Sequence, residues 1–306
     1  MSASASLNAR ALAAWETNAA NWDVAITQHG NKYWKRLQEP SLSRLLGARL
    51  ASSSSSSSQS GSGSDGGDSG GKGCRALDLA TGNGLCARWL LAKGAGFVLA
   101  TDATAEMLRI ARGYHDRASA ERGAGGEGEG GEAKMRFRRV DVTSEADLAA
   151  LAAEEGRFDV VLMNMALMDV TDLDPLARAL PGLLADGGVF AATLLHPMFF
   201  TSGAASILNV RHDPVSGRRV VVRSKLVTEY MSVAPAMDFA VPGQPEKQLL
   251  FHRPMHEVFA PFFQAGLVMD AMEELAFTEA DAEDRIESSA NFTQLPTILS
   301  FRMRMP

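Results

Sequence analysis

Between residues 78 and 196, five polar residues and two glycines have the types and spacing of a site: Asp78, Gly82, Gly84, Asp102, Asp141, Asn164 and His196. Gly82 and Gly84 stand in Ala-Thr-Gly-Asn-Gly-Leu, directly after an apolar run. Lacking Cβ atoms, they let backbone N–H groups come close to a ligand. Asp102 closes the next apolar run, 18 residues beyond Gly84. An acid at such a strand end accepts hydrogen bonds from both hydroxyls of a ribose. Asp78 lies inside the first run, where its charge is unwelcome beside a pyrophosphate and suits a ligand carrying positive charge. His196, followed by Pro197, closes a fifth run. A histidine with an ordinary pKa of about 6.5 takes a proton from a hydroxyl or phenol. Each residue also has a plainer role. Acids at strand ends cap helices and turns, and a histidine before a proline is often only a bonded turn residue.

The elements that must hold these residues alternate along the chain. A strand ending near Ala80, a helix beginning near Leu85 and a second strand ending at Asp102 make the first unit. The next helix, ATAEMLRIARGYHDR, carries Thr104 as its expected cap and turns Met107, Leu108, Ile110 and Ala111 to the sheet. The strand MRFRRV, with its alternating arginines, belongs near a sheet edge and ends at Asp141. A helix over SEADLAALAAEEG leads to the apolar strand 158–163, terminated by Asn164. Asp186-Gly187-Gly188 reads as a tight reversal before strand five. Parallel strands bring their C-terminal ends to one edge, so the glycine loop, Asp102, Asn164 and His196 share it.

Residues 198–250 have strand-like pieces but no room for a crossover helix, and read as a cap. Phe199, Phe200, Tyr230 and Phe239 are its pocket walls or simply its filling. Pro261 interrupts the following helical pattern, which predicts a kink or a late start. His252 and Arg253 contact substrate or enter that helix. LPTILSFRMRM is expected as a closing strand, antiparallel at the far side of the sheet.

At 306 residues, 46% hydrophobic and 22% charged, the chain suits one large α/β domain. A formal charge of −6 without a basic stripe argues against nucleic acid. Cys74 and Cys86 have neither metal-site nor disulfide spacing, and the six histidines share no ligand spacing, so no metal is expected. No apolar run reaches the roughly 18 residues of a membrane span, and the N-terminus lacks the pattern of a signal peptide. The expectation is a cytoplasmic protein with a small-molecule substrate, no membrane association and no obligate protein partner. The opening MSASASLNARALAA, with only Arg10 charged, is faintly transit-like.

Two ligands fit the glycine loop. Gly82, Gly84 and Ala87 with Asp102 give a dinucleotide fingerprint, G-x-G-x-x-A, which an NAD(P)-dependent oxidoreductase would use. Asp78-Leu79-Ala80-Thr81-Gly82-Asn83-Gly84, with its acid upstream, instead resembles the acid-x-G-x-G-x-G motif of class I S-adenosylmethionine-dependent methyltransferases. Ala80 stands where that family most often has its first glycine, tolerable if its φ is negative. FDVVLMNMALMDVTDLDPLARALPGLLADGGVFAATLLHP and the later His-Arg-Pro segment at 252–254 resemble the same family.

The resemblance implies a Rossmann-like α/β fold: a doubly wound, seven-stranded, mostly parallel sheet with an antiparallel last strand, an N-terminal helical lid and a cap after strand five. It implies S-adenosylmethionine as cofactor and methyl transfer to an oxygen, nitrogen or carbon. Asp102 would hold the ribose, Asp141 the adenine amino group, and the backbone at Ala80, Gly82 and Gly84 the methionyl part. Asp78, Thr81, Ala103, Met107, Val142, Asn164, Met165 and Trp22 would complete the cofactor's surroundings, and His196 is the candidate base. Residues 8–50 would form the lid, 51–73 a Ser/Gly linker, 74–196 the cofactor core with an insertion at 118–134, 197–250 the substrate cap, and 251–306 the C-terminal core. Trp15, Trp22, Tyr33 and Trp34 in the lid are either packing or cofactor cover. A catalytically silent cofactor-binding protein of the same fold is the remaining alternative.

Overall fold

The computed structural model describes residues 3–51, 73–121, 134–286 and 288–306. Most of the expected linker at 51–73 and of the insertion at 118–134 lies outside the described residues.

Two helices, α1 (Ala3–Ile26) and α2 (Glu39–Ala51), precede the sheet; a wide turn of helix at Trp34–Gln38 runs straight into α2. Strands and helices then alternate: β1 (Arg75–Leu79), α3 (Leu85–Ala92), β2 (Phe97–Asp102), α4 (Ala105–Glu121), β3 (Met135–Arg139), α5 (Glu145–Glu155), β4 (Phe158–Asn164), α6 (Asp174–Leu183) and β5 (Leu184–Leu195). Four short strands follow in two antiparallel pairs, β6 (Ala205–His212) with β7 (Arg219–Leu226) and β8 (Ala236–Asp238) with β9 (Gln248–Leu250). Then come α7 (Met255–Gln264), β10 (Val268–Leu275) and β11 (Ile298–Arg304).

The main sheet has seven strands in the order β10-β11-β5-β4-β1-β2-β3. β11 is antiparallel to both its neighbours, and the other pairs are parallel. Because helices cover both faces, β4 after Asp159 reads as a continuous apolar run over 160–163, with residues of alternate parity serving opposite layers. Val161 and Met163 pack with Leu176, Leu180 and Phe262, whereas Val160 and Leu162 pack with Leu42, Leu46 and Trp89. The chain leaves β1 in one direction through β2 and β3 and returns to build β4 and β5 on the other side. The crevice at this reversal, outside the carboxyl ends of the strands, is where such sheets bind ligands.

Three sequence expectations are corrected. The closing strand is not at the far side: β11 is inserted between β5 and β10, and β10 is the edge. Ile298, Leu299, Phe301 and Met303 are wholly buried, a pattern that requires a neighbour on each side, while β10 alternates exposed and half-buried residues as an edge strand does. Asp186-Gly187-Gly188 is a bulge inside β5, not a reversal before it. The register steps from Phe158↔Leu184 to Val160↔Val189, with Gly187 at φ +70° and Gly188 so close that a Cβ would stand 2.8 Å from the Phe158 carbonyl. Finally, Thr104 does not cap α4. Its hydroxyl donates to Asp102, and the free N–H groups of Ala105 and Glu106 are taken by the Glu16 carboxylate of α1 at 2.9 and 3.1 Å. α7 runs from Met255 with Pro261 inside it.

Candidate active site

The loop after β1 is shaped by three residues with left-handed backbones: Ala80 at φ +51°, Gly82 at +55° and Gly84 at +78°. Ala80 therefore does not have the negative φ expected of an alanine there. The Thr81 N–H bonds the Thr101 carbonyl of β2 at 2.8 Å, which folds the loop back over its neighbour and holds residue 80 in a conformation costing an L-residue about 1–2 kcal/mol. Gly82 then donates its N–H to Asp102 Oδ2 at 3.0 Å, while Asp102 Oδ1 accepts from the Thr104 N–H and hydroxyl at 3.0 and 2.8 Å. Acid and glycine turn thus face one space across 20 residues of sequence. A Cβ built on Gly82 meets nothing within 4 Å, so the loop opens onto free volume at this point.

Asp78 sits beneath the loop rather than in front of it. It is buried; the Thr81 hydroxyl and the Ala87 backbone bond its carboxylate, and burial pushes its pKa up to about 7. Burial raises the pKa of Asp102 too, against its bonds to Thr104 and Gly82. Asp141 is bonded at both oxygens, Oδ1 by the Thr143 N–H and hydroxyl at 2.8 and 2.7 Å and Oδ2 by the Asn8 side-chain amide at 2.8 Å. Val142 is a core side chain, and the Ala103 carbonyl accepts from Arg139 at 2.8 Å.

α1 lies along these loops. Asn8 reaches Asp141, Glu16 the start of α4, and Asp23 the side chain of Asn83 at 2.8 Å and of Tyr114 at 2.9 Å. Trp22 packs edge-on against Trp15 at 5.1 Å, in one apolar cluster with Ala19, Met107, Ile110 and Tyr114. Trp22 and Met107 therefore meet between α1 and α4. Sequence reasoning missed Asn8, Glu16, Asp23 and Asn83 as site residues; Asn83, inside the glycine motif, and Asp23, directly after Trp22, carried a local signal.

On the other side of the crevice, Asn164 accepts from the Thr193 hydroxyl at 2.6 Å and donates to Gln38 at 3.0 Å. Met165 has φ +54°, a second strained residue at a strand end, and packs, as Tyr33 does, against the cluster of Leu37, Leu275, Phe277, Ala290 and Ile298. His196 is 2% exposed. Its Nε2 stands 2.8 Å from Glu274 Oε1, its ring lies 4.9 Å from that of Phe199, and its Nδ1 is buried without a partner among the described residues. An accepting carboxylate fixes the proton on Nε2 and leaves the Nδ1 lone pair bare. Burial lowers this pKa, and Glu274 opposes the fall. Asp169 Oδ1, in the turn after β4, is also buried and unpartnered, which pushes that carboxyl well above the usual range.

His252 and Arg253 brace the cap and the turn after β4. His252 bonds Thr201 at 2.8 Å and the Tyr230 carbonyl at 2.7 Å, and Arg253 donates to the carbonyls of Leu167, Val170 and Thr171. Phe239 is half exposed on the surface. No group of three or more His, Cys, Asp or Glu among the described residues could hold a metal ion. None of the described helices is long and apolar enough to cross a membrane.

Residues 77–192 match the model of a methyltransferase domain. An arsenite methyltransferase of Aquipseudomonas alcaligenes is 36% identical over 118 residues, 38% of this chain and 31% of that protein, so the match spans about a third of the relative's length. Among solved structures, an S-adenosylmethionine-dependent methyltransferase from Mesorhizobium loti superposes with a TM-score of 0.51 at 22% identity, over 76% of this chain and 91% of the other. A Listeria monocytogenes protein gives the same TM-score and coverage at 18% identity. With the strand order, the inserted antiparallel strand and the glycine loop joined to Asp102, the chain has the Rossmann-like fold of the class I S-adenosylmethionine-dependent methyltransferases, and its residues 77–192 match a methyltransferase domain.

Proposed function

We propose that the chain binds S-adenosylmethionine over β1, β2 and β3 and directs its methyl group to an oxygen, nitrogen or carbon of a small molecule held over β4 and β5. The observation that carries this is the bond between Gly82 and Asp102, which turns a glycine loop and a strand-end carboxylate toward one open space. The residues fit the cofactor. Asp102 accepts two hydrogen bonds at Oδ1 and one at Oδ2, so Oδ2 keeps a lone pair for a hydroxyl of the ribose. Asp141 Oδ2, bonded once, accepts in addition from an adenine amino group. α1, tied to all three loops, is the lid.

When bound, the cofactor supplies an electrophilic methyl on sulfonium; the protein contributes alignment and exclusion of water. Asn164 and the strained Met165 shape the junction of the two halves. For an acceptor that must lose a proton, His196 takes it at Nδ1. Glu274 holds the ring and its tautomer, and the lowered pKa keeps the imidazole neutral near pH 7. The hairpins between residues 205 and 250 enclose the acceptor, a cap suited to a small molecule.

Calorimetric titration with S-adenosylmethionine, S-adenosylhomocysteine, NAD and NADP tests the reading. The first two bind, and Asp102→Ala weakens them about 10- to 100-fold through loss of hydrogen bonds to a charged group. Binding of NAD or NADP instead would make the chain an oxidoreductase; binding with no turnover against any acceptor would make it a silent carrier.

A further inference from the structure

The β6–β7 hairpin has two unlike faces. Pairing places Ser206 opposite Lys225 and Leu208 opposite Arg223 on one face, and Ile207 opposite Ser224 and Asn209 opposite Val222 on the other. The face with Lys225 and Arg223 is turned to the body of the protein. Lys225 Nζ lies 4.4 Å from the ring centre of Phe200 and 5.3 Å from that of Phe292, and Arg223 donates to the Ile286 carbonyl at 3.3 Å. Two bases at i and i+2 therefore point inward from a strand whose outward neighbours Val222 and Leu226 are exposed. This inverts the usual partition of charge and apolar surface.

Among the described residues no carboxylate pairs with either, and the one polar side-chain partner of Lys225 is the Ser206 hydroxyl at 3.0 Å. Burial lowers the Lys225 pKa. A half-buried ammonium left in this way is costly unless an anion joins it.

The position of Lys225 says what that anion belongs to. Phe200 lies four residues after His196, whose ring stacks on Phe199. Phe292 closes the short helical turn Ser289–Asn291, in which Ser289 bonds the Tyr33 hydroxyl and Ala290 packs in the cluster of Tyr33 and Met165. Lys225 thus stands over the same end of the crevice as Met165 and His196, away from Asp102 and Asp141.

Resting on the methyl-transfer reading above, we propose that Lys225, seconded by Arg223, binds an anionic group of the methyl acceptor, a carboxylate or a phosphate. The acceptor is then an acid whose charge is held at the cap while its nucleophilic atom is presented at Met165 and His196. Such a group takes charge-assisted hydrogen bonds from Nζ in place of water and fixes the acceptor's orientation.

The test is calorimetric titration of inorganic phosphate, and separately of acetate, into the full chain saturated with S-adenosylhomocysteine. At least one of the two anions binds the wild type. Lys225→Met weakens it about tenfold or more and Lys225→Arg restores it, while all three proteins take up S-adenosylhomocysteine equally. Equal anion affinity in wild type and Lys225→Met, or no anion binding by the S-adenosylhomocysteine-loaded wild type, overturns the proposal and leaves the methyltransferase reading standing. Failure of the wild type to take up S-adenosylhomocysteine overturns that reading and this proposal with it.

Discussion

Over β1, β2 and β3 the carboxylates of the ligand edge are already bonded within the protein: Asp78 by Thr81 and Ala87, Asp102 by Gly82 and Thr104, Asp141 by Asn8 and Thr143. Over β4, β5 and the start of β11, polar atoms are left over. Asp169 Oδ1, His196 Nδ1 and Thr297 Oγ1 are buried and unpartnered, and Lys225 has no carboxylate beside it among the described residues. An unmet buried polar group costs about 1–3 kcal/mol; Ser41, Trp89, Gln248 and Ser300 hold others elsewhere in the fold, and in the reading proposed above the three at the ligand edge are where partners come from outside the protein. The bonded half is a rigid seat made in advance. In the reading proposed above, the unbonded half is completed by what it receives. Changes in the first half should therefore be felt in stability and cofactor affinity, and changes in the second in turnover.

The largest expected effect is on the unbonded side. With an acceptor in hand, His196→Ala lowers kcat about 10²-fold or more for an oxygen or nitrogen nucleophile and leaves S-adenosylhomocysteine affinity unchanged. The pH profile separates base from scaffold. Activity falls as the imidazole protonates, and because burial lowers its pKa that acid limb lies below pH 6.5. Glu274 favours the protonated ring, so Glu274→Gln moves the limb to still lower pH. An unchanged kcat in His196→Ala, or a limb that ignores Glu274, removes His196 from proton transfer and blurs the contrast between the halves.

The two halves also differed in how far the sequence revealed them. Gly82, Gly84 and Asp102 fall within one strand–helix–strand unit, so local spacing specified their meeting. The second half is assembled from Tyr33, Met165, His196, Lys225, Glu274 and Phe292, brought together only by the finished fold. Lys225, on a strand that mixes basic and apolar residues, reads as solvated surface until the register of β6 and β7 shows which face turns inward. Strands β1, β2, β4 and β5 were legible from apolar runs and the count of seven came from the family resemblance, but the insertion of β11 was not legible, because a run reports burial and not its neighbours. Ala80 was misjudged for a related reason: its φ is imposed by the bond from Thr81 to β2, a contact between elements. The N-terminal contacts were invisible in the same way, Asn8 meeting Asp141 across 133 residues.

A test of the bonded half is the pH dependence of stability. Asp78 has its pKa raised to about 7 in the fold from an ordinary 3.8. The folded state then holds a proton that the unfolded chain has released, so this group's contribution is full below pH 3.8 and is lost as pH rises through 7. Relative to Asp78→Asn, the wild type should lose about 1.4 kcal/mol for each pH unit over that window. Urea unfolding of both proteins at pH 5, 6, 7 and 8 measures the difference directly. A difference that does not change with pH would mean that Asp78 is ionised throughout, and that the glycine loop rests on a buried charge.

The smallest effect probes whether the seat is complete without its lid. Asn8 gives Asp141 one of its three hydrogen bonds and also reaches the Thr143 hydroxyl at 3.0 Å, so it fastens the first turns of α1 to the loop after β3. Because Asp141 Oδ2 keeps a free lone pair, an adenine amino group joins Asn8 there and does not need to displace it. Asn8→Ala should therefore loosen the lid and weaken S-adenosylhomocysteine binding by about threefold, the worth of one partly exposed hydrogen bond, with most of the change in the dissociation rate. Stopped-flow measurement of release, following the tryptophans of α1, gives that rate. Tighter binding in the variant would reverse the relation: Asn8 would then hold the place of the adenine amino group, and the bonded half would be closed by its own N-terminal helix until the cofactor arrives.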